Sequence, residues 1–104
     1  MKIVYADGVF EELVNISLYL AQANEDIAQK FLNSCDETFR FLLLNREGGY
    51  SRKFRDNAIT GVRTWPVKGF DRYLVFYQRT ASGIRILHIV HTSTDYFDHF
   101  DIEK

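Results

Sequence analysis

The chain has 104 residues, 46% hydrophobic and 26% charged, with one proline and six glycines, a composition that excludes a disordered or low-complexity chain and fits one globular domain over 1–104. Its formal net charge of −1 conceals a segregation: residues 1–39 hold two lysines against seven carboxylates, residues 40–85 ten basic groups against three, and residues 86–104 one lysine against four. The single cysteine, Cys35, excludes an internal disulfide and a CxxC pair, and with no signal-type or membrane-spanning apolar run the expectation is a cytoplasmic protein with no membrane association.

Residues 2–5 (Lys-Ile-Val-Tyr) are β-branched and aromatic enough for a short first strand. Asp7 then offers a side-chain oxygen to the free N–H groups of a new helix, with Glu11 and Glu12 in its early turns where the helix dipole favours negative charge. Val9, Leu13, Ile16 and Leu20 recur at helical spacing, and Phe10, Val14 and Tyr19 broaden that stripe. Asn24 caps a second helix, on which Ala28, Phe31, Cys35, Thr38 or Phe39, and Leu42 form the apolar face. The short join makes the two helices antiparallel neighbours. Gly48-Gly49 ends the pattern, read as a positive-φ helix exit, and residues 50–60 read as a basic loop.

From Gly61 the period changes to two. Residues 62–67, 73–79 and 84–91 are β-rich runs joined by hairpin-length connections, which is an antiparallel meander. The run 73–77 is apolar on both faces and suits a central strand, whereas Pro66, lacking an N–H, belongs at an edge, bulge or strand end. The order β-α-α-β-β-β predicts an α+β fold with a helical hairpin on one face of a mainly antiparallel sheet and the other face free to bind.

Several chemistries find no support. His88 and His91 are three apart on a strand and point to opposite faces, Cys35 lies on the apolar stripe, and none of the common hydrolase, nucleotide or zinc-protease fingerprints occurs. No metal or cofactor is expected. Arg63 and Trp65 are two apart and share a face, so a guanidinium and an indole can hold a phosphate and a stacked base together; the alternative is a core Trp65 with Arg63 as a rim charge. Lys53 and Arg55 precede that strand as further cations.

Gly61-Val62-Arg63, Pro66-Val67, Tyr73-Leu74-Val75-Phe76-Tyr77 and Ile86-Leu87-His88-Ile89-Val90-His91, with Asp95 four residues on, together resemble the ParE/RelE superfamily of toxins from bacterial type II toxin–antitoxin modules, known also as plasmid stabilisation proteins. The likeness covers nearly the whole chain, and its Y-L-V-F-Y wording is nearer to ParE than to RelE. It implies a β-α-α-β-β-β fold, a cognate antitoxin wrapped on the helices and sheet, and one of two targets. ParE-like members inhibit DNA gyrase. RelE-like members are ribosome-dependent endoribonucleases that cleave mRNA. A homologue that has lost toxicity, and a homodimer or toxin–antitoxin hetero-oligomer, are also compatible with the likeness.

For gyrase inhibition the expected target surface is the open sheet face with Arg63 and Trp65, the basic loop at Arg55 and Lys53, and the tail residues Tyr96, Phe97, His99 and Phe100. Phe10, Val14 and Tyr19 are then antitoxin contacts, or else simply core. For RNA cleavage Arg63 is the cation, Lys53 assists, and His91 or His99 is the acid or base. Two groups of the nuclease pattern are replaced here, by Thr94 and Phe100.

Overall fold

The computed structural model describes residues 1–55 and 60–95. The elements are β1 (Lys2–Tyr5), α1 (Val9–Ala21), α2 (Glu25–Leu44), β2 (Tyr50–Arg52), β3 (Val62–Val67), β4 (Phe70–Thr80) and β5 (Gly83–His91). They form one mixed sheet in the order β1-β5-β4-β3-β2, with β1 parallel to β5 and every other pair antiparallel. The α+β architecture and the helix–helix–meander order are as the sequence predicts. The three-residue β2 at the sheet edge departs from the sequence pattern, which predicts loop there. Among the described residues no helix is long and apolar enough to cross a membrane.

α2 follows its sequence closely. Asn24 Oδ1 accepts from the Asp26 N–H at 2.8 Å, and Ala28, Phe31, Cys35, Thr38, Phe39 and Leu42 are its buried residues. α1 begins differently. Its cap is Gly8, in the left-handed region at φ 91°, with no side-chain cap, so Asp7 does not cap it. Pro66 lies beyond the β2 pairing and at a register shift, where its missing N–H costs no ladder bond.

The main core lies between the hairpin and one sheet face: Val9, Phe31, Cys35, Phe39 and Leu42 pack on Val67, Tyr73, Val75, Tyr77, Ile84, Ile86 and Ile89. Phe31 is its aromatic hub, edge-on to Phe70 and Tyr73 at 5.2 and 5.0 Å. The opposite face is not bare. Val62, Phe76 and Val90 form a second small cluster there, with Phe54, Leu74 and Leu87 packed against it.

Gly48 and Gly49 are not positive-φ residues; the positive-φ glycines are Gly8, Gly61 and Gly69. Gly49 is required for close approach instead. A Cβ there would lie 2.5 Å from the Tyr77 hydroxyl and 3.0 Å from the Thr64 carbonyl.

Candidate interaction surfaces

Arg63 and Trp65 share a face of β3, as their spacing requires, but it is the helix-bearing face and not the open one. Arg63 pairs in register with Tyr77, and Trp65 packs against the main core. Arg63 Nη1 donates to the Gly49 carbonyl at 2.8 Å and to the Glu47 carbonyl at 3.2 Å. The Gly49 N–H in turn donates to the Tyr77 hydroxyl at 2.8 Å. Burial raises the Tyr77 phenol above its ordinary pKa, with the Gly49 N–H and the Arg63 charge opposing that rise. Arg79 pairs with Glu47, and Arg46 donates to the Thr80 carbonyl, so three arginines fasten the connection from α2 to β2. The Arg63 guanidinium is thus engaged with backbone oxygens of its own chain.

Trp65 is half-buried between Phe41 of α2 and Tyr50 of β2, with ring centroids 5.8 Å away on each side and interplanar angles of 25° and 23°. Phe41 and Tyr50 are exposed, so the half-buried Trp65 is held between two rings that both reach solvent. A cavity of about 510 Å³ opens beside it, lined in part by Glu37, Phe41, Trp65, Lys68 and Asp71. Trp65 is thus packed on the core, as one of its two sequence readings has it, and Arg63, bonded to backbone carbonyls on that same face, is not displayed with it on the open one. Lys53 and Arg55 are exposed after β2, next to the undescribed residues 56–59. Tyr96, Phe97, His99 and Phe100 lie outside the described residues.

His91, at the end of β5, stands edge-on to Tyr73 at 4.9 Å. Its Nδ1 accepts from the Ser93 N–H at 3.0 Å and lies 2.8 Å from Ser93 Oγ, so the ring proton is on Nε2. With Asn15, Ile16, Tyr19, Tyr73 and Ser93 it lines a cleft of about 360 Å³. Arg63 and His91 do not meet. Their register partners Tyr77 and Tyr73 are four residues apart on β4, and two strand spacings separate β3 from β5; their backbones are therefore about 16 Å apart. General acid–base work on one phosphodiester needs these groups within hydrogen-bond reach of the same reacting atoms. His88 faces a different partner again, Glu12 of α1, at 3.0 Å. Cys35 is buried, which pushes its thiol up to about 12 and leaves it unsuited to nucleophilic attack.

α1 carries several exposed large hydrophobic side chains. Phe10, Val14, Leu18 and Tyr19 are 62, 53, 61 and 67% exposed. Phe10, Val14 and Tyr19 are therefore not core residues. Leu18 belongs with them although the sequence reading does not single it out; the signal is there, since it continues the four-residue spacing of Phe10 and Val14. Glu12 holds the helix in this rotation: its Oε1 accepts the Ile89 N–H at 3.1 Å, on the edge of β5 beyond the segment that β1 covers. A carboxylate there satisfies a strand edge that, among the described residues, has no strand beside it, and α1 is docked at a fixed angle.

Compared with known families, residues 3–96 match the model described as ParE toxin of type II toxin-antitoxin system, parDE. The comparison with curated proteins gave no match.

Proposed function

We propose that this chain, which belongs to the ParE toxin family of type II toxin–antitoxin systems, acts by binding DNA gyrase and blocking its supercoiling, and cuts no RNA itself. Family membership implies a cognate antitoxin as partner. The observation that carries the choice of mode is the dispersal of the nuclease candidates: Arg63 is bonded to the Glu47 and Gly49 carbonyls, while His91 lies on another strand against Tyr73 and Ser93.

A protein-binding mode also suits the surface on offer. Four large exposed hydrophobic side chains on one helix make a patch of the kind that marks a protein interface, and in this reading Phe10, Val14, Leu18 and Tyr19 take the antitoxin. The target side is then made of the basic residues Lys53 and Arg55 after β2, the outer rim of the Trp65 stack, and the acidic, aromatic tail with Tyr96, Phe97 and Phe100. Arg63 contributes there by holding β2 and the loop before it in place.

The purified chain is added to a gyrase supercoiling reaction and, separately, to a translating extract in which the messenger is followed on a gel. The expected result is blocked supercoiling with intact messenger. Cleaved messenger with normal supercoiling overturns the reading in favour of a ribosome-dependent endoribonuclease, and inactivity in both assays overturns it in favour of a homologue without toxicity.

A further inference from the structure

The outward half of α1 is apolar and acidic at once. At 100° per residue, Phe10, Val14, Leu18 and Tyr19 spread over about half the helix circumference, and Glu11 falls within that arc, one turn from Val14. Glu11 is exposed and, among the described residues, forms no ion pair. α1 contains no lysine or arginine. Over residues 1–29 the one basic side chain is Lys2, against Asp7, Glu11, Glu12, Glu25 and Asp26. Of these carboxylates Glu12 is already committed to the β5 edge.

A partner that covers the four hydrophobic side chains must also cover Glu11. Taking a carboxylate out of water with no counter-charge is strongly unfavourable and offsets what a cluster of apolar contacts supplies. We infer that the antitoxin segment seated on α1 is apolar with flanking Lys or Arg side chains, one of which pairs with Glu11. This inference rests on the reading above that α1 is the antitoxin's docking face; it adds the chemistry that the segment must have. A second copy of this chain is a poor occupant. A two-fold contact through this face sets Glu11 and its acidic neighbours against their own copies, with no cation on α1 to offset them. The basic middle of the sequence is remote in character from this face, so the antitoxin is selected by charge as well as by shape.

The test uses the cognate antitoxin co-expressed and purified with the full chain, then separated and rebound on a sensor surface at about 0.05 and about 0.5 M salt, a range over which the screening length falls severalfold. Wild type, Glu11→Lys, Glu11→Gln and Leu18→Ala are compared, with circular dichroism confirming that each is folded. Association of the wild type is expected to slow about tenfold as salt rises, and Glu11→Lys to slow it about tenfold at low salt while flattening the salt dependence. Glu11→Gln falls between them. Leu18→Ala accelerates dissociation and leaves the salt dependence intact. Glu11→Lys that binds as well as the wild type overturns the inference. If Glu11→Lys and Leu18→Ala are both silent while the antitoxin still binds, the docking face itself is elsewhere; gyrase inhibition, scored separately, stands or falls without reference to either. Sedimentation of the chain alone as a dimer that Leu18→Ala dissociates assigns the face to a second copy, and likewise overturns the inference.

Discussion

The connection from α2 to β2 and the outward half of α1 treat their side chains in opposite ways. Around residues 46–49 the charged groups are turned to internal use: Arg46, Arg63 and Arg79 bind the Thr80, Gly49 and Glu47 oxygens, and Tyr77 takes the Gly49 N–H. On α1 the side chains of Phe10, Val14, Leu18 and Tyr19 are more than half exposed, although Phe10 also packs its ring on Tyr5. A cation that looks functional in the sequence is thus serving the fold, and hydrophobic residues that look like core are available for binding. Charge and hydropathy alone do not separate site from scaffold. What separates them is whether a group's partners lie within its own chain.

That contrast breaks most visibly if the exposed and buried hydrophobic residues respond alike. Phe31→Ala, which empties the aromatic hub against Phe70 and Tyr73, is expected to lower the unfolding free energy by about 3–5 kcal/mol in a urea titration. Gly49→Ala forces a methyl into the Tyr77 hydroxyl and the Thr64 carbonyl, with an expected loss of about 1–3 kcal/mol; adding Tyr77→Phe to Gly49→Ala recovers part of that loss by removing the oxygen nearest the new methyl. Arg63→Ala leaves two loop carbonyls without their donor, at about 1–2 kcal/mol after allowance for its partial exposure. In the gyrase assay it is expected to weaken inhibition only as far as its stability falls, whereas a direct target contact would lose inhibition in fully folded protein. Smallest of all, Val14→Ala and Leu18→Ala change stability by less than about 0.5 kcal/mol, because neither is covered in the free chain. A loss as large as that of Phe31→Ala would mean the α1 face is already occupied.

Much of the fold is legible in the amino-acid sequence. The apolar face of α2 can be read residue by residue, since its 3.6-residue repeat is long and its Asn24 cap is the side-chain kind that sequence reveals. Pro66 marks its own irregularity through its missing donor. The start of α1 is less legible, because Gly8 performs by backbone conformation what the side chain of Asp7 is suited to do. β2 is too short to show a period. Spacing places Arg63 and Trp65 on one face of β3, but which face depends on strand pairing with β4, and no local pattern contains that. Gly49 is a matter of contact: only the position of Tyr77 explains why a side chain cannot stand there. On α1, apolar residues nearly encircle the helix, so periodicity names the buried stripe and is silent on what covers the rest.

The central claim is that this toxin works as a protein ligand whose α1 face is the antitoxin's handle. It is tested most directly by adding antitoxin back to a gyrase supercoiling reaction blocked by the wild-type chain or by Val14→Asp/Leu18→Asp. The account predicts that both chains block supercoiling and that antitoxin restores it for the wild type alone. Restoration of both at the same antitoxin ratio would contradict it.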